Sequence, residues 1–205
     1  MKLVFGCIQM PYPIEHVVSV LAISIASVTL AEIGDKTQLL SLILASRYRK
    51  PVPIVLAIFL ATLLNHALAA WLGVVVADHL SQDVLRWVVV FSFLGMALWV
   101  LIPDKMDEEN EDASFRGPFV ASFIAFFIAE IGDKTQVATS ILGAQFSEHL
   151  LIVIIGTTVG MMLANVPVVV IGKLSGDKLP LALIRKATCV LFVLLAIGAL
   201  IFGTE

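Results

Sequence analysis

The chain's 205 residues are 60% hydrophobic and 14% charged, with a mean hydropathy of +1.02, whereas a soluble domain is nearer half apolar and a quarter charged. Apolar runs close to the length that crosses a bilayer recur along it, so the sequence describes an all-α integral membrane protein with no room for a separate soluble domain. A formal net charge of −3 with no basic stripe excludes nucleic acid as a partner.

In chain order, the N-terminus carries Lys2 and a short apolar run cut by Pro11-Tyr12-Pro13. That is too short for a cleaved signal peptide, so the first span is expected to serve as the targeting signal. Span 1 is expected over Val17–Ala45, ended by Arg47-Tyr48-Arg49-Lys50-Pro51-Val52-Pro53. Span 2 follows over Ile54–Ala77, a polar turn over Asp78–Asp83, and span 3 over Val84–Ile102. Asp104–Gly117 is the one long hydrophilic stretch, an acidic linker expected to be a solvated connector. Span 4 starts at Pro118, a good first-turn residue, and reaches Phe146. Span 5 covers Leu150–Gly172, a polar turn Lys173–Pro180, and span 6 Leu181–Phe202. Cys7 and Cys189 have no Cys or His at metal spacing and read as unpaired.

One string occurs twice. Glu32-Ile33-Gly34-Asp35-Lys36-Thr37-Gln38 returns as Glu130-Ile131-Gly132-Asp133-Lys134-Thr135-Gln136, 98 residues on. Asn65 and Asn165 match at offset 100, and Arg86 and Arg185 at offset 99. The chain therefore reads as a duplicated unit, 1–103 and 118–205, joined by the linker 104–117. Each unit holds three spans, an odd number, so the second must enter from the opposite side. The expected fold is six transmembrane helices as two inverted three-helix repeats, a plan of secondary transporters with the site near mid-membrane.

Loop charge sets the orientation. Arg47, Arg49, Lys50, Lys105, Arg116, Lys173, Lys178, Arg185 and Lys186 fall on one side, and only Lys2 and Arg86 on the other. The positive-inside rule puts the first set in the cytoplasm and both termini outside.

An unpaired Asp or Lys costs about 2.5–3.5 kcal/mol at the centre of a membrane helix. Two acids and a lysine in each motif therefore demand a function. On a straight helix Glu32, Asp35 and Gln38 would share a face, and Glu32 could pair with Lys36 and Glu130 with Lys134 at i,i+4. Length argues against a straight helix. The 29 residues of Val17–Ala45 would be roughly 43 Å long against a core of roughly 30 Å, so the span tilts strongly, or kinks or breaks at Gly34, and its counterpart at Gly132. These glycines are the expected hinges. Pro167 would free the carbonyl of Leu163.

Glu32, Asp35, Glu130 and Asp133 supply carboxylates, with hydroxyls from Thr37 and Thr135 and amides from Gln38, Gln136, Asn65 and Asn165 nearby. Such a hard oxygen cage suits calcium, manganese or magnesium. Protons can compete for the same oxygens, which is the simplest basis for exchange. Lys36 and Lys134 read as stand-in cations for the empty site. Moving a divalent cation out against an inside-negative potential costs about 4.6 kcal/mol per 100 mV, which two entering protons cancel electrically, so at least two protons per metal are expected.

Twin Glu-x-Gly-Asp-Lys-Thr motifs in a duplicated chain resemble the calcium/manganese cation–proton exchanger family, which has bacterial, chloroplast and Golgi members. The resemblance covers nearly the whole chain. It implies export of manganese or calcium in exchange for protons from a bacterial inner membrane, and kinship with the lysine-exporter superfamily. It carries Glu32, Asp35, Glu130 and Asp133 over as the ion-binding acids, with the motif lysines and threonines beside them. Manganese over calcium follows from the resemblance, not from ligand chemistry.

The implied partners are membrane lipid, a divalent cation and protons; a homodimer is left open. No cofactor is implied beyond the transported cation. The competing readings are an amino-acid exporter of the lysine-exporter type and a divalent-cation channel. No arginine is obvious for an amino acid's carboxylate, and no Ser/His pair or His-Glu-x-x-His string supports an enzyme. His66 has no counterpart in the second unit, where Val166 stands, and is expected to make an interhelical hydrogen bond in preference to serving as a ligand or proton relay. Trp71, Trp87 and Trp99 are expected as lipid or interface anchors.

Overall fold

A computed structural model describes residues 14–99, 101–102, 117–171 and 181–203. Lys2, Cys7, Pro103, Lys105, Arg116, Lys173, Lys178, the acidic run of the linker and the side chain of Arg185 lie outside the described residues. The described chain is 90% helical and contains no strand. Its helices are α1 (Ile14–Glu32), α2 (Lys36–Tyr48), α3 (Pro51–Asp78), α4 (Gln82–Trp99), α5 (Pro118–Glu130), α6 (Lys134–Gln145), α7 (Leu150–Ile171) and α8 (Leu181–Phe202), with a 3₁₀ turn at Ser147–His149.

Ile14–Glu32, Pro51–Asp78, Gln82–Trp99 and Ser147–Val170 are each long and apolar enough to cross a membrane. Pro118–Glu130 and Lys186–Phe202 are shorter apolar stretches. The two long segments around the motifs do not tilt as single rods; each is two helices. Pro51 and Pro53 open α3 instead of lying in the preceding loop, with proline in the first turn where its missing N–H is harmless. Pro167 stays inside a continuous α7.

On α3 one row of large residues faces out and one row of small or polar residues faces in. Leu60, Leu64, Leu68 and Leu72 recur every fourth residue and are exposed, while Ala57, Ala61, Asn65, Ala69 and Gly73 recur one position round the helix and are buried. Large apolar groups outside and small or polar groups inside is the arrangement lipid demands, because association there depends on close packing, not on hiding oil from water. Glycine sets the closest approaches. A Cβ at Gly156 on α7 would lie 2.6 Å from Ser24 Cβ of α1, and one at Gly160 would lie 2.7 Å from the Ile25 carbonyl oxygen. On the other pair, a Cβ at Gly143 of α6 would lie 2.5 Å from the Ala70 carbonyl oxygen of α3.

The pairings echo the sequence repeat. α1 packs on α7 as α5 packs on α3, and α2 packs on α7 as α6 packs on α3. α4 packs on α8. Symmetry fails at one place. α4 also packs on α6 and α8 on α1, but neither packs comparably on α2 or α5. Two cores result. One joins Val20, Ala70, Phe93, Met96, Leu142, Val153 and Phe192 across α1, α3, α4, α6, α7 and α8. The smaller joins Leu44, Ile54, Ile58, Phe126 and Val169 across α2, α3, α5 and α7. Trp71 and Trp87 are exposed, whereas Trp99 packs against the larger core.

Candidate metal centre

Both motifs fold as a turn between two helices. In each, the backbone N–H of the aspartate donates to the carbonyl of the glutamate three residues earlier, Asp35 to Glu32 at 3.0 Å and Asp133 to Glu130 at 3.2 Å. Gly34 and Gly132 stand third in these turns with φ of 84° and 75°. Ile131 before Gly132 has φ −65° and ψ 119°, the values of a type II turn. That turn needs a positive φ at its third residue, which is why glycine stands there twice.

The next residues restart the helix. Asp35 and Asp133 occupy the N-cap positions of α2 and α6. Neither carboxylate caps its own helix. Gln38 and Gln136 instead reach back over the turn to the residue before the N-cap. The Gly34 N–H donates to Gln38 Oε1 at 3.0 Å, and the Gly132 N–H to Gln136 Oε1 at 2.6 Å. This is close kin to a capping box, in which the third helical residue reaches back over the helix start. Asp-Lys-Thr-Gln was a readable helix-start signal in the sequence. Gln38 also donates from Nε2 to the Ala164 carbonyl at 3.1 Å, one residue beyond the carbonyl Pro167 was expected to free. The glutamines thus shape the turns.

With the turns held by glutamine, the acids are buried together. Glu32 and Glu130 are fully buried, and Asp35 and Asp133 nearly so. One carboxylate oxygen from each of Glu32, Asp35 and Asp133 lies within 4.8 Å of the others. The set draws on both motifs. Glu130 lies within electrostatic reach of Glu32 and Asp133 but outside that close triad.

The supporting groups differ between the halves. Glu32 Oε1 accepts a hydrogen bond from Thr37 and another from Asn165 Nδ2 at 2.9 Å. Ser41 fixes that asparagine by donating to its Oδ1 at 2.7 Å. Sequence reading did not single out Ser41; a hydroxyl one turn beyond the motif was its only signal. In the other half, the Thr135 hydroxyl lies 3.4 Å from Glu130 Oε2 and 3.2 Å from Asp133 Oδ2. Asn65 does not reach Glu130; it donates to the Phe127 carbonyl at 3.2 Å. Matched positions in the sequence therefore hold different partners.

The lysines depart from the expected pairing. Neither Glu32 with Lys36 nor Glu130 with Lys134 forms an ion pair among the described residues. The helix break removes the i,i+4 geometry that would have allowed it. Lys36 instead reaches across to Asp133 Oδ1 at 3.7 Å. Lys134 is buried and donates to the Ile102 carbonyl at 3.0 Å, while Lys36 remains about a third exposed, at 35%. For the same reason Glu32, Asp35 and Gln38 do not share the face of one continuous helix.

The two broken helices thus bring together buried carboxylates with threonine hydroxyls and the Asn165 amide beside them, a donor set whose carboxylate and hydroxyl oxygens suit a hard cation. Residues 20–108 and 118–205 match the family described as "Divalent cation/proton antiporter GDT1", and the chain belongs to that family. The chain is 72% identical to a Vibrio cholerae protein named "Putative manganese exporter", over 97% of this chain and 99% of that one. It is 28% identical to the Arabidopsis thaliana "GDT1-like protein 5", over 87% of this chain and 93% of that protein. It is 29% identical to the rice protein of the same name, over 89% of this chain and 94% of that protein. No solved structure matches the chain.

Proposed function

We propose that the chain exports manganese from the cytoplasm in exchange for protons, by alternating access, across a bacterial inner membrane. The observation that carries this reading is the meeting of Glu32 and Asp35 from one motif with Asp133 from the other. The acids Glu32, Asp35, Glu130 and Asp133 hold the cation. Oxygen donors of this kind accept manganese and calcium alike, so manganese rests on the name of the Vibrio cholerae relative, and calcium is the second cation to test. Thr37, Thr135 and Asn165 orient the acids. Lys36 and Lys134 supply positive charge when the cation is away, and Gly34 and Gly132 are the hinges. Antiport needs only that metal and protons exclude one another at the same oxygens.

The proposed architecture is six spans in two inverted repeats, with α1 and α2 as the first span and α5 and α6 as the fourth. The matched pairings of α1 with α7 and α5 with α3 support it, as does the two-part family match. Residues 1–103 and 118–205 are then the two repeats, the linker is cytoplasmic, and both termini face outward. The α2/α5 end, which carries Arg47, Arg49 and Lys50, faces the cytoplasm. The test is the manganese content of bacteria lacking an exporter of their own and loaded with manganese. Cells expressing the chain should hold less, and Asp35→Asn, Asp133→Asn, Glu32→Gln and Glu130→Gln should each lose that effect. Normal export by all four variants, present in the membrane, would reject the site.

A further inference from the structure

The acid cluster is made of oxygen, and a nitrogen stands beside it. His66 on α3 is fully buried. Its Nε2 lies 3.7 Å from Glu130 Oε2, beyond hydrogen-bond reach. Neither ring nitrogen has a hydrogen-bond partner among the described residues, and Glu130 Oε1 has none either. Buried polar groups are almost always satisfied, and exceptions call for an explanation. A histidine that only tied α3 to α5 would bond the carboxylate or a backbone carbonyl, as its neighbour Asn65 does with Phe127. The observed gap is of another kind. Two donors each about 2.1–2.4 Å from a shared cation stand roughly 3–4.5 Å apart.

The position is also particular to one half. At the other acid, Asn165 bonds Glu32 directly, and the residue after it is Val166. The site therefore has an oxygen-only end at Glu32 and an end at Glu130 with an imidazole in reach. That difference has chemical content. Calcium takes oxygen ligands, whereas imidazole suits transition metals. An all-oxygen cage separates manganese from calcium only by size and ligand number, and a nitrogen donor adds a preference of ligand type.

We propose that His66 is a nitrogen ligand of the transported cation, shared with Glu130, and that it sets the preference for manganese over calcium. This rests on the reading that the acid cluster is the ion site.

The test uses the purified full-length protein in lipid nanodiscs, titrated with Mn²⁺ and with Ca²⁺ at one fixed pH, and pulsed electron paramagnetic resonance of the Mn²⁺-loaded sample. Wild type should show coupling of manganese to an imidazole nitrogen. His66→Asn, which leaves an oxygen donor, should lose the coupling and weaken Mn²⁺ binding about tenfold or more, the scale of losing a group that tunes a metal site, with Ca²⁺ binding unchanged. His66→Val, which copies the other half, should do the same. Saturable Mn²⁺ binding by wild type without nitrogen coupling would overturn the proposal, as would equal weakening of both cations in His66→Asn. Wild type that binds neither cation would instead overturn the acid-cluster reading, and this inference with it.

Discussion

At the scale of single residues, the two motifs share a sequence but not a set of partners, and that inequality is measurable. Asn165, itself held by Ser41, bonds Glu32, whereas Asn65 bonds a backbone carbonyl on α5. Removing a group that orients a metal ligand typically weakens a site about 10–100-fold. Asn165→Ala should therefore cut manganese transport by about tenfold or more. Asn65→Ala should leave the rate much closer to wild type, since it touches none of the four acids. Initial rates in vesicles distinguish the two, and equal losses would contradict the assignment. Lys36 bears on the same point. Sequence spacing offered it Glu32, but the break at Gly34 turned it toward Asp133. Which residues carry charge was legible in the sequence. Which residue each charge meets was not, because the partner comes from the other repeat, about a hundred positions away, and no local period reports that.

At the scale of elements, the broken helix was legible for a reason of length. A span that overruns the bilayer must tilt or break, and a glycine within the overrun is the weak point. The turn geometry could be read only in part. Asp-Lys-Thr-Gln is a helix start, but on an assumed straight helix it looks like a polar stripe. The positive φ at Gly34 and Gly132 gives a direct test. An L-residue in that region costs roughly 1–2 kcal/mol, so Gly34→Ala and Gly132→Ala should each lower the thermal midpoint of the purified protein. Gly95→Ala, on α4 with open space around it, should not. Gly143→Val is the packing counterpart. With the Ala70 carbonyl 2.5 Å from where a Cβ would sit, α3 and α6 must part, and both stability and transport should fall. A Gly143→Val protein as stable as wild type would show that this close approach is not needed.

At the scale of the whole molecule, the repeat is symmetric in its pairings and asymmetric in its closure. α4 and α8 seal against α6 and α1 and leave α2 and α5 to a smaller core. Under the proposed alternating access, that asymmetry would leave one end shut and the other able to open. Lys36 is 35% exposed while Lys134 is buried, at 3%. In a chain with Cys7 and Cys189 replaced by serine, Lys36→Cys should react with a water-soluble thiol reagent faster than Lys134→Cys. Equal rates would mean that the two motifs see the same surroundings. The sequence displayed the duplication plainly, yet two equal copies carry no record of which end is closed. That depends on how α4 and α8 dock, a matter of packing between residues with no distinguishing pattern.

In the proposed exchange, metal and protons share the same acids, so binding one must release the other. If two protons leave for each metal, apparent Mn²⁺ affinity should fall by about two decades per unit drop in pH over the range where the acids compete, because ligands must be deprotonated to bind. The most direct measurement places the purified protein in sealed liposomes holding a pH-sensitive dye, with Mn²⁺ added outside. Mn²⁺ entry should drive protons out at a fixed ratio of at least two, and Asp35→Asn and Asp133→Asn should abolish both fluxes together. Manganese entry that follows its gradient with no proton movement, or proton movement that persists in those variants, would contradict the proposed exchange.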